Sequence, residues 1–155
     1  MAKTDDRDWL IQAIELSRLC PPTEKAFSVG AIIVSADGEL LSTGYSRERD
    51  VTEHAEERAI AKACEGGRNL SGATIYSSLE PCHPRLSGKT SCTDLIIRAG
   101  ITRVVFALNE PPRFVICDGA NRLKSHNIEV VLIDELAHLA RPLIEAPPSL
   151  TQSTD

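Results

Sequence analysis

Near the N-terminus, apolar and polar positions alternate with a helical period. Trp9, Leu10, Ala13, Ile14 and Ser17 share one face, acids fill the first turn, and Thr4 or Asp5 stands where a cap is needed. The pattern predicts a helix from about Asp5 to Leu19, ended by Pro21 and Pro22. Ser28 to Ser35 is then a continuous apolar run of strand length, Ala36-Asp37-Gly38 has turn composition, and Leu40 to Tyr45 reads as the second strand of a hairpin. Further on, a helix is predicted from His54 to Cys64, stopped by Gly66-Gly67, followed by a strand Thr74 to Ser77 and a helix beginning near Cys92. Strands Arg103 to Leu108 and Ile128 to Ile133 and a helix Asp134 to Leu143 complete the series. This order describes an α/β sheet covered by helices on both faces. No repeat interrupts it, so residues 1–146 read as one domain, and the polar end, Pro147 to Asp155, reads as a disordered tail.

Composition narrows the function. The 155 residues carry 17 basic and 22 acidic side chains, a net charge of −5, with 42% apolar and 25% charged residues, as expected of an ordinary globular domain. Only six aromatic residues are present, and a net negative chain lacks the broad attraction for phosphate backbones, so nucleic acid is not the expected partner. The N-terminus has acids where a secretory leader has bases, and no apolar run approaches membrane-spanning length, so a cytoplasmic protein without membrane contact is expected. Five cysteines in that compartment argue for free thiols rather than a disulfide framework.

Chemistry concentrates in two places: His54-Ala55-Glu56 at a predicted helix start, and Pro81-Cys82 with Cys92 after nine intervening residues. One imidazole and two thiolates are donor types that suit zinc, and three protein ligands leave a position open for water, as catalytic zinc sites do. Because two thiolates already neutralise the ion, water there is acidified less than in an all-histidine site, and Glu56 is the carboxylate placed to take its proton. Residues two apart on a helix point ~200° from one another, so His54 and Glu56 share a pocket only if His54 lies before the first regular turn. A His-x-Glu triplet followed by Pro-Cys and a second Cys resembles the zinc-deaminase signature, with its first half intact and the cysteine spacing stretched from two residues to nine.

The remaining candidates have plainer readings. Cys20, Cys64 and Cys117 read as small apolar fillers, His126 and His138 as surface residues, and Glu53 and Glu57 as solvated charges at a helix start. His83 is a rival ligand by position but is expected to orient the loop or touch substrate. Between the cysteines, Arg85 and Lys89 supply positive charge, Ser87 and Thr90 hydroxyls, and Gly88 backbone freedom, which together fit an anionic substrate tail contacted at the surface rim.

The stretches SVGAIIV, STGYSRE, HAEERAI, SLEPCHPRLSGKTSC and AGITRVVFALNEPPRFV resemble the cytidine-deaminase-like superfamily. Within it they are most similar to the pyrimidine deaminases of riboflavin synthesis, especially the fungal form. The likeness runs from about Phe27 to Ile133, and the long Arg-Leu-Ser-Gly-Lys loop before the second cysteine is its most discriminating part. It implies a three-layer α-β-α sandwich around a five-stranded mixed sheet, zinc on His54, Cys82 and Cys92, and Glu56 moving protons to a ring nitrogen and the leaving amine. It further implies that backbone carbonyls near Ser78 to Glu80 receive the leaving amine, and a homodimer is expected. The implied substrate is a 2,5-diaminopyrimidinone carrying a ribosylamino or ribitylamino 5-phosphate. One departure stands out: bacterial members resemble Pro-Asn-Pro-x-Val-Gly before the first strand, with a sugar-contacting asparagine, where this chain has Lys25-Ala26-Phe27-Ser28-Val29-Gly30. The chain also lacks the reductase domain of bifunctional bacterial members, so deamination alone is expected. The alternatives are a nucleobase or nucleoside deaminase without phosphate recognition, and a non-catalytic zinc-stabilised interaction domain closed by a fourth ligand such as His83.

Overall fold

A computed structural model describes residues 4–144, so the predicted tail at 147–155 lies outside the described residues. Helix α1 (Thr4–Leu16) tightens into a 3-10 turn at Ser17–Leu19, ahead of the two prolines. Then follow β1 (Gly30–Val34), β2 (Leu40–Tyr45), α2 (Ala55–Glu65), β3 (Thr74–Ser77), α3 (Cys92–Ala99), β4 (Arg103–Phe106), α4 (Gly119–Ser125), β5 (Glu129–Leu132) and, after a 3-10 turn, α5 (Ala137–Ile144). The strands form one mixed sheet in the order β2-β1-β3-β4-β5. β1 pairs antiparallel with both β2 and β3, whereas β3, β4 and β5 run parallel.

The continuous apolar run of β1 is explained by its place inside the sheet, with helices on both faces. Ile32 and Val34 point to one side, where they meet Leu10, Ala13 and Ile14 of α1 and Ala140 of α5. Ala31 and Ile33 point to the other, against Ala59 and Ala63 of α2, Ile96 of α3 and Leu123 of α4. The result is the three-layer α-β-α sandwich around five strands that the sequence led us to expect. Helix α4 is the element the pattern did not predict, because GANRLKS offers only Ala120 and Leu123 to an apolar face.

Two glycines bring the helices close enough to build a site. A Cβ on Gly44 of β2 would lie 2.5 Å from the carbonyl oxygen of Ala55, so only glycine lets the first turn of α2 sit this close to the sheet. A Cβ on Gly119 would lie 2.0 Å from the carbonyl oxygen of Pro81, so α4 starts directly against the loop that carries Cys82.

Candidate active site

His54 is the N-cap of α2, with the extended backbone φ −92°, ψ 157°, so its side chain leaves the chain before the helical spiral begins. Glu56, two residues later, thereby faces the same cavity, which meets the geometric condition set by the sequence. Cys92 is the first residue of α3, whose N-cap Ser91 accepts a hydrogen bond from Asp94 N. Cys82 follows β3 on a short loop, and its Sγ accepts a hydrogen bond from Cys92 N at 3.3 Å.

These elements converge on a cluster. His54 Nδ1 lies 3.5 Å from Cys82 Sγ and 3.3 Å from Cys92 Sγ, and the three donor atoms are within 4.8 Å of one another. Tetrahedral zinc, with bonds of ~2.3 Å to sulfur and ~2.0 Å to nitrogen, sets nitrogen and sulfur about 3.5 Å apart. The donor set therefore fits that ion in both chemistry and spacing. The amino ends of α2 and α3 both abut the cluster, and their dipoles favour anionic sulfur there. The two thiols titrate together. The Cys92 hydrogen bond draws the Cys82 thiol well down, while that same contact and burial push the Cys92 thiol up.

Glu56 is buried, and its Oε2 accepts a hydrogen bond from Ser77 Oγ at 2.9 Å. Burial first, and the charge of Cys82 second, raise its pKa above the usual carboxylate range, against the opposing pull of His54. Such a carboxyl holds a proton more readily than an exposed one, as a group that receives and returns protons must. Above it opens a cavity of about 700 Å³ lined by His54, Glu56, Cys82, Glu110 and the aromatic residues Phe27 and Phe114, whose rings meet edge-on at 5.0 Å. No helix among the described residues is long and apolar enough to cross a membrane.

Several expectations need correction. The Ser78 side chain offers substrate no contact, being fully buried with its hydroxyl accepting from Gly30 N, while Leu79 and Glu80 of the same segment line the cavity. Glu80 lies on the wall, but its carboxylate accepts from Asn109 Nδ2, Glu110 N and Ala120 N, so it fastens the segment after β4 rather than standing free for substrate. His83 turns away to Asp118, with Nδ1 2.5 Å from Oδ1, and is not part of the donor cluster. Arg85 is not at the rim. Its side chain is 1% exposed and donates to Glu57 Oε1 and to the carbonyls of Thr52 and Thr90. Ser87 and Lys89 do stay exposed; Ser87 lines the cavity, and Lys89 Nζ donates to the hydroxyl of Thr52.

Glu53 and Glu57 are not solvated charges. Glu53 is buried and pairs with Arg58 at 3.4 Å, and Glu57 Oε1 accepts from both His54 N and Arg85. Burial works against ionisation of Glu57, but those hydrogen bonds and the Arg85 charge outweigh it and hold the carboxyl low. Nor are the other cysteines fillers: Cys64 is exposed, while Cys20 and Cys117 are half-buried, with Sγ directed at the carbonyls of Val29 and Pro81. His126 and His138 are exposed, as expected.

Sequence reasoning missed Glu110, whose carboxyl faces the cavity and is pushed up to about 8 by burial and by the charges of Cys82, Glu56 and Glu80. It also missed Phe114, the Ser77 partner of Glu56, and Arg47, which is buried and donates to Pro21 O, Phe27 O and Ser28 Oγ to hold the cavity wall.

Comparison with known proteins places this geometry. Residues 3–108 match the cytidine and deoxycytidylate deaminase zinc-binding region. Over 133 residues, 84% of the chain and 33% of the relative, the sequence is 44% identical to the diaminohydroxyphosphoribosylamino-pyrimidine deaminase of Schizosaccharomyces pombe. It is 34% identical to the riboflavin biosynthesis protein RibD of Aquifex aeolicus over 84% of the chain and 35% of that protein. The chain thus spans about a third of the length of these curated relatives. A probable cytosine deaminase of Schizosaccharomyces pombe is 30% identical over 81% of the chain and 82% of that protein. Among solved structures, the Rib2 deaminase of Aspergillus oryzae in complex with DARIPP superposes with a TM-score of 0.82 at 26% identity, covering 92% of this chain and 91% of that one. With two thirds of its length matched to that zinc-binding region and its donor cluster assembled at two helix starts, the chain belongs to the cytidine and deoxycytidylate deaminase family.

Proposed function

We propose that the chain is a zinc-dependent aminohydrolase that removes an exocyclic amine, as ammonia, from an amino-pyrimidine. Its best-supported substrate is a 2,5-diaminopyrimidinone bearing a ribosylamino or ribitylamino 5-phosphate. The observation that carries this reading is Glu56, buried and raised in pKa on the floor of an open cavity, beside three donors spaced for zinc. In this reading His54 Nδ1 and the two thiolates of Cys82 and Cys92 hold the metal. When bound, zinc supplies the Lewis acidity that makes water nucleophilic near neutral pH. Glu56 Oε takes the proton from water, delivers it to the ring nitrogen, and then serves the departing amine. Ser77 holds Glu56 in place through its hydroxyl. The Phe27–Phe114 pair and the segment fastened by Glu80 limit water around a flat ring.

For the substrate, the 44% identity to a deaminase of that named specificity is the main support. Charge at the mouth adds to it. Lys25 and Arg49 are exposed on the cavity wall, and Lys89 stands on Thr52, so the phosphate contact expected of Arg85 passes to these three. A second reading, a nucleobase deaminase, draws on Ala26 lining the wall where bacterial relatives have asparagine and on the likeness to a probable cytosine deaminase. Ammonia release from a panel of diaminopyrimidinone phosphates, their dephosphorylated forms, cytosine, guanine and cytidine separates the two. Turnover confined to the phosphorylated pyrimidines supports the first reading, and turnover confined to the bases replaces it with the second.

A further inference from the structure

A single guanidinium touches the chain beside two of the three donors, His54 and Cys92, and is itself carried on the chain just after the third. Arg85 lies three residues after Cys82. It donates to Thr90 O at 3.1 Å, two residues before Cys92, and to Thr52 O at 2.6 Å, two residues before His54. Its third acceptor, Glu57 Oε1 at 2.8 Å, is the same oxygen that accepts the His54 backbone N–H at 3.1 Å.

We infer that Arg85 is a positioning residue for the metal donors, locking the loop between the two cysteines onto the start of α2. The inference rests on the reading of His54, Cys82 and Cys92 as zinc ligands. Packing alone is a poor explanation for an arginine here. Its side chain is 1% exposed, its Nε is buried without a hydrogen-bond partner, and an apolar side chain of similar volume often stabilises such a place as well or better. Only the planar fork of arginine reaches a carboxylate and two carbonyls on separate segments at once; a lysine offers one point charge on a flexible stem. Groups that hold the ligand-bearing backbone affect metal affinity without touching the metal, with typical losses of ~10 to 100-fold when they are removed. The arrangement also explains why a nine-residue spacing is compatible with a compact three-donor site: the loop is closed on itself from Arg85 to Thr90 and tied to the segment before α2 at Thr52.

The test measures the zinc dissociation constant of the full chain by competition with a chromophoric chelator, alongside thermal stability. Arg85→Met is expected to weaken zinc binding by about 10-fold or more. Arg85→Lys, which keeps charge and length, should lose less, and serves if the first variant does not fold. Arg103→Met removes another buried arginine, paired with Asp6 on the far face of the sheet. It should lower the melting temperature but leave zinc affinity as in the wild type. With zinc restored to saturation, Arg85→Met should show a reduced kcat and a KM for the phosphorylated substrate within about twofold of wild type. Wild-type zinc affinity in both Arg85 variants, or equal weakening by Arg85→Met and Arg103→Met, overturns the inference. So does a raised KM with unchanged zinc binding, which would make Arg85 a substrate contact. A wild-type chain that binds no zinc refutes the ligand assignment itself, a result distinct from all of these.

Discussion

At the floor of the cavity, His54 and Cys92 stand at the first residues of α2 and α3, and Glu56 occupies the first turn of α2. At its mouth, Phe27, Arg49, Ser87 and Phe114 are carried by four segments without regular secondary structure. The floor takes its precision from helix starts packed on the sheet, where two dipoles favour anionic ligands, His54 caps α2, Cys92 opens α3, and Cys82 is held by the backbone N–H of Cys92. The mouth has no such frame. Buried polar groups tie its segments instead: Arg47 the segment at 21–28, Arg85 the loop between the cysteines, and the Glu80 carboxylate the segment at 109–120. The candidate chemistry thus stands at helix starts, whereas the rim that substrate would meet stands on loops held by a few buried polar anchors.

The largest effect should come from breaking the floor. Cys82→Ala is expected to lose zinc and all measurable ammonia release, while Cys20→Ala keeps a full complement of about one zinc per chain. Metal analysis of the two purified variants checks this. A metal-free wild type that is fully folded would contradict it.

Breaking the Glu80 anchor, which unlike Arg85 does not hold the backbone beside the donors, should cost stability and substrate handling but not metal. Glu80→Ala strips the acceptor from two backbone N–H groups and one side-chain amide, a loss of ~2 to 4 kcal/mol. That corresponds to a melting temperature lower by about 5 to 12 °C for a domain of this size. Zinc content, read by metal analysis, should stay unchanged.

The mouth itself is sharpened by removing exposed charge. Replacing Lys25 and Arg49 together by alanine should raise KM for a phosphorylated substrate by roughly tenfold with little change in kcat, and should leave a dephosphorylated analogue unaffected. Equal losses on both substrates would indicate a collapsed wall.

A pH-dependent effect concerns Glu110, which belongs to the mouth by position and feels the charges of the floor. Its carboxyl keeps a proton up to about pH 8 in the fold, against 4.5 for an ordinary glutamate. Between those values the unfolded chain binds fewer protons than the folded one, so this group's contribution to stability falls as pH rises through the window. Glu110→Gln lacks the fall. Calorimetry from pH 5 to 9 should find the variant gaining on the wild type up to about pH 8 and holding a constant difference above it.

Much of the floor was legible in the sequence. Helix α1, the hairpin and the three donors announce themselves through local period and residue type, and the need for His54 to precede the regular turn followed from helix geometry alone. The mouth was not legible, because its logic lies in contacts between distant positions. Glu57 and Arg85 are 28 residues apart, and each alone has the look of a solvated charge. Glu110 and Phe114 sit in a stretch with no period to read, and the bond from Gly30 N to the Ser78 hydroxyl joins positions 48 residues apart. Helix α4 depends on a glycine whose role appears only when Pro81 lies against it.

The central claim is that Glu56 moves protons beside a metal it does not hold. Its most direct test is ammonia release by wild type and Glu56→Gln, with zinc content measured on the same samples. Glu65→Gln, at the exposed end of α2, is the control, because the neighbouring Glu57 braces His54 and Arg85. We expect Glu56→Gln to retain about one zinc per chain and lose on the order of a hundredfold or more in turnover, with Glu65→Gln unaffected. Full activity in Glu56→Gln, or loss of its zinc, would contradict the account.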